Sequence, residues 1–100
     1  MKYYKDPIKK MKMMKMKRHL YLPITDILDK YHIKYTLEPM VVDGKDSINI
    51  FTTSVNHKAI GVKTIKIYLD PEPFYKINGH MIVTTFENLS YLLIKIFDGK

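Results

Sequence analysis

Toward the end of the chain the apolar residues recur at helical spacing. Leu89, Leu92, Leu93, Ile96 and Phe97 fall at i, i+3, i+4, i+7 and i+8, which lines one face of a helix. Ahead of them, Thr84-Thr85-Phe86-Glu87 matches a capping box, with Thr84 as the cap and Glu87 reaching back. Asp98-Gly99 marks the end of this helix. It is expected to lie across a sheet.

Upstream the period drops to two, the spacing of a strand with one buried face. From Gly61 to Leu69, Ile65, Ile67 and Leu69 point one way and Lys66 and Tyr68 the other. Asp43-Gly44 lies between two β-rich runs and predicts a type I′ hairpin, whose central residues both need positive φ. A two-residue loop there pairs Val42 with Lys45 and Leu37 with Ile50. Tyr35, Leu37, Ile48 and Ile50 then share one face, and Thr36, Glu38 and Asn49 the other. Pro39 cannot donate to a ladder, which argues for an edge strand. Asn78-Gly79 predicts a second hairpin. In it Tyr75, Ile77 and Ile82 share one face, and Phe74, Met81 and Val83 the other. Both faces are apolar, which places the hairpin near the sheet centre or turns one face to a partner. Ser54 to Lys58 reads as a polar connection.

Before the strands, Pro23 breaks what precedes it, and a short helix is expected from Thr25. Thr25 caps it and Asp26 suits its positive end. Ile27, Leu28 and Tyr31 give it one apolar face, and it should fade by His32 or Ile33. Residues 1–18 show no such order. Ile8, Met11, Met13, Met14 and Met16 scatter around a helical wheel, and a strand phase breaks at Met14. The expected architecture is a small single α+β domain at residues 19–100. Its antiparallel sheet has about four or five strands, with a short N-terminal helix and a packed C-terminal helix. A basic Lys/Met-rich arm at residues 1–18 precedes it, and the domain is expected to fold without that arm.

Charge sharpens the division. The chain of 100 residues carries a net +7. Residues 1–18 hold eight cations against the single acid Asp6, a net +7, while residues 19–100 hold nine lysines and nine acids and balance. Such asymmetry points to an anionic partner for the arm. Among anionic partners, nucleic acid ranks level with a protein, and a membrane surface ranks last because the arm has no apolar stripe and no Trp or Phe. Hydrophobic residues make up 46% of the chain, which excludes a disordered polymer. There is no cysteine, in keeping with a cytoplasmic protein. No apolar run approaches a membrane span of about 20 residues, and the arm lacks the apolar core of a secretory signal. Sixteen lysines to one arginine, with thirteen isoleucines and eight tyrosines, is a composition associated with AT-rich coding sequences. Low-GC bacteria, phages and mobile elements carry such genes.

Catalytic chemistry finds little footing. His19, His32, His57 and His80 are dispersed, without metal-ligand spacing. Asp70 and Glu72 bracket prolines in DPEP and read as a solvated turn rather than an acid–base pair. Ser47, Ser54 and Ser90 lack a nucleophile elbow, and the glycines form no phosphate loop. No enzyme activity, metal, cofactor or small-molecule substrate is expected. The expected role is that of a nucleic-acid-associated accessory protein. Lys9, Lys10, Lys12, Lys15, Lys17 and Arg18 would contact phosphate without reading base sequence, while the body docks on a larger replication or processing enzyme. Met11, Met13, Met14, Met16, Phe74 and Tyr75 are the candidate partner contacts, since methionine suits adaptable apolar surfaces. The alternative is a phage or mobile-element protein that binds and modulates a host or element-encoded enzyme without touching nucleic acid.

Overall fold

The computed structural model describes residues 2–3, 6–53, 62–69 and 72–98. Their elements are, in chain order, β1 (Lys2–Tyr3), α1 (Pro7–Met16), α2 (Arg18–Lys30), β2 (Lys34–Val42), β3 (Lys45–Thr53), β4 (Thr64–Tyr68), β5 (Phe74–Ile77), β6 (Met81–Val83) and α3 (Phe86–Phe97). The strands form one antiparallel sheet in sequence order. β2 to β6 make its five-stranded body, and β1 adds a two-residue edge opposite Met40 and Val41. This is the expected small α+β domain, with two helices before the five-stranded body and one after it. The Ser54–Lys58 connection, Asp70 and Gly99 lie outside the described residues.

The first hairpin forms in the expected register. Asp43 and Gly44 take φ of 52° and 76°, the two positive values of a type I′ turn. Val42 pairs with Lys45 and Leu37 with Ile50. Pro39 sits just past the last residue that β1 covers, so its missing N–H leaves no gap in that ladder.

The second hairpin corrects the expected register by one residue. Ile77 pairs with Met81 and Tyr75 with Val83, so His80 is an extra residue in the turn. Tyr75, Ile77, Met81 and Val83 therefore share one face, and Phe74, Lys76 and Ile82 the other, because a one-residue slip exchanges faces. The cause lies outside the hairpin. The Asn78 Oδ1 accepts the backbone N–H groups of Lys63 (2.7 Å) and Thr64 (3.3 Å), and Asn78 N donates to the Thr64 carbonyl at 2.9 Å. Those bonds dock the turn on the start of β4.

The helices also differ from expectation at their N-termini. α2 begins at Arg18, seven residues before Thr25, and Pro23 lies inside it. The proline removes one hydrogen bond to the exposed first turn, while Ile24 and Leu28 gain complete burial. Thr25 is not a cap; it is buried in mid-helix, where its hydroxyl donates to the Leu22 carbonyl at 3.1 Å. The C-terminus falls at Lys30, close to the expected His32. α3 is capped by Thr85 rather than Thr84: the Thr85 hydroxyl accepts from Asn88 N at 3.2 Å. Glu87 consequently sits in the first turn, favoured by the helix dipole rather than by a reciprocal cap.

One face of the sheet carries the core. Ile48, Ile50, Ile65, Ile67, Tyr75, Ile77 and Val83 pack there against Ile24, Leu28, Leu89, Leu93 and Phe97 from the helices. Met13 of α1 joins them at 7% exposure. Residues 1–18 are thus not wholly outside the domain's packing: α1 is separated from α2 by Lys17 alone. Tyr31, the C-cap of α2, places its ring 5.4 Å from that of Phe97 and ties the two helices together.

Tyr75 offers a check on this core. Burial first, and then the Glu87 carboxylate, raise its phenol above the ordinary value of 10.0. The unfolded chain ionises this phenol first, so the stability that its neutral form contributes is present below pH ~10 and is lost as pH rises through the folded value. Urea unfolding between about pH 8 and 11 should show Tyr75→Phe losing less stability than the wild type over that window. Parallel pH curves would place the phenol in water.

Candidate nucleic-acid interface

The opposite face of the sheet carries a different chemistry. Register places Glu38, Asn49, Lys66, Lys76 and Ile82 in one row across β2 to β6. Beside it runs a second row of Met40, Ser47, Tyr68 and Phe74. Met40 is buried here yet belongs to no part of the core cluster. A depression of about 510 Å³ is centred on the Asn49–Lys66–Lys76 row, lined also by Met40 and Tyr68 on one side and Phe51 and Thr64 on the other.

Three features mark this part of the open face, and the first and third are costly when nothing is bound there. First, Lys66 and Lys76 are direct cross-strand partners, and like charges so placed repel. Neither has an acidic partner among the described residues. Second, Tyr68 and Phe74 stack with centroids 4.5 Å apart and planes 1° from parallel. The ammonium groups of Lys66 and Lys76 stand 5.6 and 5.5 Å from the Tyr68 ring centre, where cation–π attraction partly offsets their repulsion. Third, Asn49 is 4% exposed, and its Oδ1 has no hydrogen-bond partner among the described residues. Its Nδ2 donates to the Met40 sulfur, a weak acceptor. A buried polar atom left unpaired costs about 1–3 kcal/mol. The depression therefore offers two adjacent cations, the Tyr68 ring and an idle acceptor, with Phe74 stacked on Tyr68 beside it.

The basic residues expected to contact phosphate lie mostly on α1. Asp6 caps this helix, accepting from Ile8 N at 2.9 Å, and Pro7 takes the first helical position. Lys9, Lys12 and Lys15 are exposed on α1, and Arg18 is exposed at the start of α2. Lys17 is half-buried between the helices. Lys10 turns inward and pairs with Glu38 at 3.5 Å. That contact brings α1 to the end of the Glu38–Asn49–Lys66–Lys76 row.

The expected partner contacts divide. Met11 and Met16 are exposed, at 72% and 70%. Met14 packs partly against the core, and Phe74 is half-buried on the open face. Met13 and Tyr75 are core residues, at 7% and 5% exposure. Lys66, Tyr68 and Lys76 escaped the site reading, although their signal is present in the strands. Lys66-x-Tyr68 and Phe74-x-Lys76 each place one lysine and one aromatic on the face away from the core, and antiparallel pairing brings like to like.

Among the described residues, no three His, Asp or Glu side chains gather into a cluster that could hold a metal, and no helix is long and apolar enough to cross a membrane. No family model, no curated protein and no solved structure matches the chain.

Proposed function

We propose that the chain is a nucleic-acid-associated accessory protein of the cytoplasm, which binds rather than catalyses. It holds a single strand across the open face of its sheet, with the lysines of α1 adding phosphate contacts at one end. The observation that carries this reading is the opposed Lys66–Lys76 pair beside the stacked Tyr68–Phe74 pair. Single-strand binders combine a cationic track with aromatic faces on which bases stack. A phosphate between the two ammonium groups relieves their repulsion, and a base on Phe74 continues the stack. Lysine acts as a point charge without the bidentate fork of arginine, so the base sequence should matter little. The body's docking on a larger replication or processing enzyme completes the proposal.

Binding of a labelled oligo-dT of about 15 nucleotides, followed by anisotropy at about 50 and 200 mM salt, tests it. If about five lysines engage phosphate, the log–log salt slope should be near −3.5. Lys66→Glu with Lys76→Glu should weaken binding at least about tenfold at the lower salt. A mixed-sequence strand should bind like oligo-dT. A double variant that binds like the wild type, with circular dichroism unchanged, would remove the sheet face from the proposal.

A second reading, a phage or mobile-element protein that modulates an enzyme by contact alone, has one observation in its favour. Met81, Ile82 and Tyr91 are exposed at 43%, 60% and 65% around the β6 edge and α3. It forecasts nucleic-acid binding only in the millimolar range at physiological salt.

A further inference from the structure

A second depression of about 510 Å³ lies between α1, α2 and β2. Its lining includes Met11 and Met14 from α1, Leu22 from α2 and Leu37 from β2, with Lys15 and Arg18 among the same residues. Met11 is 72% exposed and Leu22 36%, so the apolar surface is open to a ligand. Exposed apolar residues gathered in one groove signal an interaction site more than scattered ones do. The charge around them has one sign. Lys10 is held by Glu38, but Lys15 and Arg18 have no acidic partner among the described residues.

We infer that this groove receives an acidic amphipathic segment of a protein partner, with its apolar side chains against Met11, Met14, Leu22 and Leu37 and its carboxylates on Lys15 and Arg18. Charge complementarity selects the partner. The net +7 of residues 1–18 attracts an acidic amphipathic segment, repels a basic one and gives a neutral one no such gain. The apolar lining separates this groove from a plain phosphate track, since a nucleic-acid backbone supplies no apolar side chains to fill it. Helix-in-groove recognition combines these components, with apolar anchors at i, i+3, i+4 and i+7 seated in the groove. Methionine, unbranched and polarizable, lets such a groove adjust to its occupant. The apolar lining lies apart from the Lys66–Lys76 face, while Lys15 at its rim is one of the α1 lysines that the nucleic-acid reading also uses; the inference rests on the apolar side chains and stands whether or not the sheet face binds nucleic acid.

The probe is a labelled helical peptide of about 14 residues, four turns long, with leucines at i, i+3, i+4 and i+7 and glutamates elsewhere. Two peptides control for its parts: one with every glutamate replaced by lysine, and polyglutamate of the same length. The full-length chain should bind the acidic amphipathic peptide at least about tenfold tighter than either control. Leu22→Asp and Arg18→Glu should each reduce that binding, and thermal melts that match the wild type keep the reading clear of unfolding. Met11→Glu, at a more exposed position, repeats the test should Leu22→Asp lower the melting temperature. Lys66→Glu with Lys76→Glu should leave peptide binding intact, which separates failure here from failure of the nucleic-acid reading. No binding of the acidic peptide, equal binding of polyglutamate, or wild-type binding by both Leu22→Asp and Met11→Glu would each overturn the inference.

Discussion

Leu93→Ala should be among the most damaging single changes in the chain. Leu93 is fully buried in the middle of α3, one turn from both Leu89 and Phe97, which are also fully buried. These residues are the α3 side of the core cluster, and α3 packs on α2 and β6. Truncating such a leucine removes its transfer energy and leaves a cavity, at a cost of about 2–5 kcal/mol. A domain of this size holds roughly 5–15 kcal/mol in total. Each kcal/mol shifts its melting temperature by about 4–8 °C, so a fall of at least about 10 °C is expected. Lys95→Ala supplies the contrast. Lys95 is exposed, with its ammonium 5.7 Å from the Tyr91 ring centre, and losing it should cost no more than about 0.5 kcal/mol. Equal small losses from both variants would mean that α3 does not seat on the sheet.

Met13→Ala should have the next largest effect, and it measures how far the basic N-terminal stretch belongs to the fold. Met13 is 7% exposed within the core cluster, whereas Met11 and Met16 on the same helix are 72% and 70% exposed. A buried methionine cut to alanine costs about 2–5 kcal/mol; an exposed one costs about 0.5 kcal/mol or less. Urea midpoints should therefore drop for Met13→Ala and hold for Met11→Ala and Met16→Ala. The same argument bears on removing residues 1–18. The remaining chain keeps both hairpin turns and the α3 stripe, so it should still unfold cooperatively, but from a lower midpoint. The Lys10–Glu38 ion pair adds little to this difference, since side chains that are 40% and 31% exposed pair in high dielectric. If all three methionine variants unfold alike, α1 lies off the core.

What could be read from the residues depended on whether the deciding forces were local. The Asp43-Gly44 turn requires positive φ at both positions, and that requirement alone sets its hairpin register. The stripe from Leu89 to Phe97 has no competing period. The second hairpin carries the equivalent signal in Asn78-Gly79, but its register is settled by the Asn78 side chain bonding to Lys63 and Thr64, fourteen and more residues away. No local rule contains that contact. Pro23 is a helix breaker by propensity, and the burial of Ile24 and Leu28 outweighs it. The helix at Pro7–Met16 had a start signal in Asp6-Pro7, but its methionines face both inward and outward, so no stripe announces it. Each of Lys66-x-Tyr68 and Phe74-x-Lys76 shows a lysine and an aromatic on one face, but that the two lysines are neighbours follows only from the pairing of β4 with β5.

Because each strand from β2 onward lies beside the strand before it, the sheet can assemble as it is made. Every new strand leaving the ribosome finds its neighbour already in place, and each closure spans a short loop with a small entropy loss. Topologies of this kind have low contact order and fold quickly for their β content. The late step is the roofing of the apolar face. α2 is synthesised before β2 to β6 and can cover the start of the sheet early, whereas α3, which packs on α2 and β6, comes last. Until it docks, Tyr75, Ile77 and Val83 face water. The interval in which the nascent chain is most open to aggregation is therefore the one between the completion of β6 and the arrival of Leu93 and Phe97.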